Sequence, residues 1–226
     1  ISGIALEQLE QYSPEVIDSF KELSKTGSVE FLAEPYAHSL ASVFDADEFK
    51  RQVTLHANKI EELFGKRPAT FFNSELIYSD QIGETVAEMG YKTMMIDEAK
   101  HVMGWKSPNY IYKHAYLPKL KLLVRNNKLS DDLAFRFTHQ SLTAEKFIAW
   151  IAALPVEEKT INLGMGYDVF GHINSANTGI FEFLKALPYF SMEQQMSFVL
   201  PSDYVKKTDA VDALTVPFPM SWVGND

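Results

Sequence analysis

The sequence predicts an α/β fold in which parallel strands are joined by helical crossovers. Three observations predict it. Helix-period stretches and short apolar, strand-like stretches alternate along the chain with only a few residues between them, and strands that run the same way need a long connection, which a helix supplies. No Pro/Gly/Ser-rich linker, internal repeat or low-complexity segment interrupts that order, so the 226 residues read as one domain. Apolar stretches end in polar clusters at Glu34 to His38, Asn73 to Glu75 and Tyr167 to His172. In such folds working residues gather beyond strand C-termini.

Residues 5–12 carry helical spacing of apolar side chains. Residues 13–27 read as a helix with Ser13 as N-cap, Pro14 at the first position and Gly27 as the stop. A strand follows at 28–33, then the loop 34–40. Residues 45–65 form a long amphipathic pattern capped by Asp45 and closed by Gly65. A strand is expected at 69–73, a glycine-closed helix at 79–90 and a strand at 92–97. Two shorter strands fall within 109–117 and 119–126. The remainder reads as a helix at 143–154 after a Thr cap, a buried strand at 159–171 entering a glycine turn, and a helix at 178–190. The stretch 197–207 reads as a strand, then a turn and a helix start.

Composition narrows the function. The formal net charge is −9 and no basic stripe is present, which excludes a nucleic-acid footprint. The absence of cysteine excludes disulfides, thiolate metal sites and a cysteine nucleophile. It fits a reducing compartment, and a cytoplasmic location is the expectation. No apolar run is long enough for a transmembrane helix, so no membrane partner is expected. The six histidines include no pair at i, i+4, and no zinc site or other cofactor is expected. Residues 164–171, GMGYDVFG, lack the spacing of a phosphate loop. No Gly-x-Ser-x-Gly turn supports a serine triad.

Glu75 is the leading candidate for chemistry. It sits just past a buried strand, between Phe71, Phe72 and Tyr78. It reads either as a solvated loop acid or as a carboxylate held in a partly dry cleft. Asp168 reads either as a turn aspartate or, if the strand continues that far, as a second carboxylate on the same side as Gly166 and facing Glu75. His172 fits a sugar hydrogen bond or a simple turn. Arg125, Asp131, Asp132 and Arg136 lie close in sequence and fit structural ion pairs or substrate positioning. Ser130 ahead of the two aspartates also resembles a helix start. Glu34, Tyr36 and His38 follow one strand. Trp105 and Tyr110 lie in a long loop, where aromatic rings either pack or stack on sugar faces.

Residues 27–40, 68–80, 105–114, 125–137, 166–188 and 216–222, taken in order, resemble the α-amylase branch of glycoside hydrolase family 57. The resemblance implies an incomplete (β/α)7 TIM-like barrel acting on α-glucans or oligosaccharides with retention, and it places the nucleophile at Glu75. Retention uses two carboxyl groups about 5 Å apart, one attacking the anomeric carbon and one serving as acid and then base. The family's acid is an aspartate just before a Tyr-Glu-Thr-Phe-Gly-like stretch. Here the stretch is GYDVFG, so that position falls on Gly166, and Asp168 matches the family's glutamate. Glycine donates no proton, and an absent general acid costs on the order of 10² to 10⁴ in rate. Two expectations result: Asp168 is a displaced acid, or the site is vestigial in a glucan-binding protein. A deacetylase-like barrel is a third and would require a metal. The family also opens with a His-Gln-Pro strand and ends in a helical region. This sequence is expected to be an internal fragment without either.

Overall fold

The computed structural model describes residues 1–158 and 160–223. Contacts divide the chain into two compact units, residues 1–124 together with the stretch from 199 onward, and residues 125–198.

The first unit opens with α1 (Gly3–Tyr12) and α2 (Pro14–Lys25), followed by the single turn α3 (Ala41–Phe44) and the long α4 (Ala46–Phe64). The Asp45 carboxylate accepts the backbone N–H groups of Asp47 and Glu48, and Gly65, at φ +72°, ends the helix in the left-handed conformation. The buried residues of α4 are Phe49, Gln52, Val53, His56, Ala57, Ile60 and Phe64, one stripe at helical spacing. Next come β1 (Phe71–Phe72), α5 (Asp80–Glu88), β2 (Thr93–Ile96), the short α6 (Lys100–Met103), β3 (Ile111–His114) and β4 (Lys121–Val124). The second unit holds α7 (Asn127–Ala134), α8 (Ala144–Ala152) and α9 (Ile180–Glu193). The chain then returns to the first unit with α10 (Pro201–Lys207) and β5 (Asp212–Leu214).

The five strands form one sheet in the order β1-β2-β4-β3-β5. β1 with β2, β2 with β4 and β3 with β5 are parallel. β3 and β4 are antiparallel, with Ile111 opposite Leu123. The few residues between those two strands close a hairpin but cannot make a crossover. Both faces of the sheet are buried. Met94, Ile96, Tyr112, Leu122 and Val124 pack with Phe49 and Val53 of α4 and Ile82 and Val86 of α5. The intervening Met95, Ile111 and Leu123 join Leu76 and Val205 in a second cluster. This double burial explains why the strands read as continuous apolar runs rather than alternating ones.

Three expected strands do not form. At 28–33 only Ala33 pairs, in a parallel bridge to Phe71 closed by Ala33 N–H to Thr70 (2.9 Å) and Phe72 N–H to Ala33 (2.8 Å). Upstream of it, the Glu30 carboxylate is committed to the backbone of Ser202 at 2.9 Å. At 160–171 the described residues form only isolated parallel bridges, Asn162 with Arg125 and Phe170 with Asn174, and no ladder. The Arg125 guanidinium takes the Gly164 carbonyl at 2.7 Å, a group a ladder would need. Asp168 therefore does not share a strand face with Gly166; residues 167–169 form a 3₁₀ turn. Lys159, the first residue of that expected strand, lies outside the described residues. At 197–200 no strand precedes α10, which Pro201 starts in the first helical turn.

The second unit is built on aromatic packing. Phe183 meets Phe137 and Phe147 edge-on at 5.4 and 5.7 Å between ring centres, and Leu129, Leu133, Ile148, Ile180 and Leu187 close around them. The α7 cap is Asn126, whose side chain accepts the Leu129 N–H at 2.9 Å, not Ser130.

Candidate active site

Glu75 stands on a turn that the sequence builds in a few residues. β1 ends at Phe72, and Asn73 braces the turn beyond it. Its side-chain oxygen accepts the Ser74 N–H at 3.0 Å, and its amide donates to the Ile77 carbonyl (2.8 Å) and the Ser42 hydroxyl (2.9 Å). The 3₁₀ turn Ser74–Leu76 puts Glu75 at φ +52°, ψ +25° and Leu76 at φ +51°. Two successive non-glycine residues in the left-handed region cost about 1–3 kcal/mol each. Fully buried Leu76, packed with Met95, Ile111 and Leu123, offsets part of that cost.

The strained turn aims the Glu75 carboxylate at defined partners. Oε1 lies 3.1 Å from His38 Nε2, and the Trp222 indole N–H donates to Oε2. His38 Nδ1 lies 2.9 Å from the Glu34 carboxylate. Both ring nitrogens of His38 thus face carboxyl oxygens. Its pKa is raised, chiefly by the hydrogen bond to Glu34, against the opposing effect of burial and with help from Glu75. A ring that donates on both sides fits this geometry and the direction of the shift.

Glu34 is buried, which works to raise its pKa. The hydrogen bond from His38 opposes burial, and the carboxyl is held below its usual range. Beneath it, His56 Nδ1 accepts the Glu34 N–H at 3.3 Å and His56 Nε2 donates to the Ile1 carbonyl at 2.8 Å. That pattern fixes a neutral ring, and burial pushes its pKa down.

The segment that brings Trp222 is fastened on both sides of the turn. Tyr78 and Met220 exchange backbone hydrogen bonds at 2.9 and 2.8 Å, and the Glu75 carbonyl accepts the Ser221 hydroxyl at 3.1 Å and the Trp222 N–H at 3.3 Å. Sequence reasoning does not single out Ser221 or Trp222 as site residues. A signal for them is present, since 216–222 is one of the stretches that carries the family resemblance.

The other carboxylate candidate belongs to the second unit. Its loop is held at two points. Gly164 donates its N–H to Ser130 Oγ (3.1 Å) and takes the Arg125 guanidinium, and Asn174 donates to the Ala134 carbonyl at 2.9 Å. Between these anchors Tyr167 and Asp168 are exposed. The Asp168 carboxylate is folded back so that Oδ1 lies 2.2 Å from where a Cβ on Gly166 would stand.

The structure brings Glu34, His38 and Glu75 together. Tyr36 is turned to α1, its hydroxyl donating to Glu7 at 2.5 Å, and its pKa is pushed up to about 12 by burial and that carboxylate. Asp131 binds Arg125 and Asp132 binds Arg136, each at 2.5 Å. Trp105 is 92% exposed, and Tyr110 packs against the sheet cluster. His172 is exposed, and its backbone N–H donates to the Asp168 carbonyl at 3.3 Å. Among the described residues, no helix is long and apolar enough to cross a membrane.

Comparison with known proteins gives consistent matches. The family model described as glycosyl hydrolase family 57 matches residues 1–217. A curated relative from Methanocaldococcus jannaschii, named "Putative alpha-amylase", is 41% identical over 194 residues, covering 83% of this chain and 41% of that protein. The chain therefore spans less than half the length of that relative. Among solved structures, the 4-α-glucanotransferase of Thermococcus litoralis superposes with a TM-score of 0.75 at 15% identity, over 98% of this chain and 33% of that one. A branching enzyme of Thermococcus kodakaraensis, solved in complex with glucose, gives 0.77 at 12% identity, over 96% and 54%. At these identities the structural likeness establishes the fold.

Proposed function

The chain belongs to glycosyl hydrolase family 57, with the α/β fold of its incomplete (β/α)7-barrel members, and from that premise we propose that it is an α-glucan-active, retaining glycoside hydrolase or transferase with Glu75 as nucleophile. The observation that carries this reading is the Glu75 carboxylate itself. It is partly open to solvent at 36% side-chain exposure, and both of its oxygens are directed by neighbouring side chains. A solvated loop acid has no need of a strained turn. A nucleophile does, because attack requires one oxygen presented in a fixed direction.

In the first half-reaction Glu75 attacks the anomeric carbon and the glycosidic oxygen departs with a proton. In the second, water displaces Glu75 with a base accepting its proton. Glu34 is unsuited to supply that proton, because a general acid is served by a raised pKa and that of Glu34 is lowered. We assign the role to Asp168. Its Oδ1 lies 2.2 Å from where a Cβ on Gly166 would stand, which supports the assignment. The substrate is an α-glucan or oligosaccharide, and the cysteine-free chain fits a cytoplasmic enzyme.

The glycine at 166 favours one second reading, a glucan-binding protein with a vestigial site. An activated fluoro-sugar separates the two, because its leaving group departs without an acid. On the enzyme reading, mass spectrometry finds a glycosyl adduct on Glu75, maltooligosaccharides are turned over, and Glu75→Gln loses both. An adduct with no turnover of natural glucan means that the nucleophile survives without an acid. No effect of Glu75→Gln on binding or turnover defeats both readings.

A further inference from the structure

We propose that Trp222 is a positioning residue for Glu75, holding Oε2 so that Oε1 is the oxygen that attacks. The inference rests on the reading of Glu75 as nucleophile and deepens it.

Trp222 grips residue 75 at both ends. Its backbone N–H donates to the Glu75 carbonyl at 3.3 Å, and its indole N–H donates to the side-chain Oε2. A residue held at its carbonyl and its carboxylate by one partner has little freedom left at χ1 to χ3. The partner is itself fixed. Met220 is paired with Tyr78, and Val216 donates to Asp80 Oδ2 at 2.9 Å while accepting the Asp80 N–H at 2.8 Å. The indole packs on the cluster of Leu76, Met95, Ile111 and Leu123.

The donor on the other oxygen is of a different kind. His38 is 41% exposed, sits in the loop between Ala33 and α3, and occupies a left-handed conformation at φ +52°. An exposed imidazole can withdraw as a sugar approaches, whereas an indole pinned by its own backbone cannot. The chemistry rests on that asymmetry. A lone pair on Oε1 forms the bond to the anomeric carbon. The bond to the leaving group breaks, its electron pair going to the departing atom. Oε2 becomes the carbonyl oxygen of the glycosyl ester and keeps its hydrogen bond. An indole N–H only donates, so the grip persists unchanged through both half-reactions.

Two measurements test this. The chain has three tryptophans, Trp105, Trp150 and Trp222, and hence three indole N–H resonances. In ¹⁵N-labelled protein, Glu75→Gln is expected to move the Trp222 resonance upfield and leave the other two in place. Trp222→Phe identifies that peak, and if this variant does not fold, Trp105→Phe and Trp150→Phe identify it by elimination. The second measurement is the rate at which a fluoro-glucosyl fluoride forms the adduct on Glu75. Trp222→Phe is expected to slow it roughly 10- to 100-fold, as befits one lost hydrogen bond to a charged group, with the half-saturating concentration little changed. The proposal is overturned if no indole resonance responds to Glu75→Gln, or if Trp222→Phe is labelled at the wild-type rate. A resonance that moves in a protein that is never labelled upholds the grip on the carboxylate and removes the glycosidase reading instead.

Discussion

The turn that carries Glu75 and the loop that carries Asp168 are opposite solutions to presenting a carboxylate. At Glu75 the backbone is strained, the flanking Ser74 and Leu76 are buried, and the carboxylate has a donor on each oxygen. At Asp168 the backbone is ordinary, the side chain is exposed, and the nearest notable feature is a glycine two residues back. The difference teaches that precision at one carboxylate is built by neighbours, while the other depends on what its own short segment leaves vacant. A nucleophile must meet one carbon along one line. A proton donor works over a wider range of approach.

The largest effect should come from refilling position 166. Gly166 has φ −70°, a conformation open to any residue, and the group in the way is the end of an exposed side chain that can move. Gly166→Asp should therefore fold. If Asp168 is a poor substitute acid, the variant should gain about 10² to 10⁴ in kcat/KM on maltooligosaccharides. A gain below tenfold, paired with a collapse of activity in Asp168→Asn, would show that Asp168 already serves as the acid and that nothing was missing at 166.

Next in size is the brace of the Glu75 turn. Asn73→Ala removes donors to Ile77 and Ser42 and the acceptor for Ser74, all at a fully buried position. Leaving buried partners unmet should cost about 1–3 kcal/mol in urea-induced unfolding. Adduct formation on Glu75 should slow as well, because the left-handed turn loses its support.

Much of this was legible in the sequence, for physical reasons that differ by element. α4 was readable almost to its ends because Asp45 and Gly65 carry local cap chemistry and Phe49 to Phe64 repeat at helical spacing. β2 and β4 were readable because both of their faces are buried. The failures share one cause: a side chain or backbone group outside the local window decided the outcome. Arg125 claimed the Gly164 carbonyl and left 159–171 without a ladder, and Glu30 was drawn to Ser202. At the candidate site, the place of Glu75 just past an apolar strand was readable. His38 bridging Glu34 to Glu75 was not visible, because it depends on a left-handed residue. Nor was Trp222, which reaches Glu75 across 147 positions of sequence.

Histidine ionisation gives a smaller effect with a definite sign. His38 has a folded pKa raised above its usual 6.5, so its contribution to stability is fully present below about pH 6.5 and is lost as pH rises through the higher folded value. His56 has a lowered pKa and works in the other direction, its cost growing as pH falls below 6.5. Urea midpoints from pH 5 to 9 should show a stability loss on the alkaline side of 6.5 that His38→Gln removes. The half-exposed position keeps the amplitude small. An unchanged alkaline slope in His38→Gln would mean that the ring does not couple the two glutamates.

The smallest effect belongs to the Asp168 side chain. The hydrogen bonds next to Asp168 run through the backbone: the Asp168 carbonyl accepts Ile173 N–H at 2.8 Å, Asn174 N–H reaches the Val169 carbonyl at 3.1 Å, and Gly171, at φ +111°, donates to the Asn174 carbonyl at 2.9 Å. Truncating the carboxylate touches none of them. Asp168→Ala should change unfolding free energy by no more than about 0.5 kcal/mol, as surface substitutions do, while turnover of α-glucan falls. A change in stability well above that would mean that the carboxylate folded over Gly166 holds the loop together, and its claim to be the displaced acid would then rest on position alone.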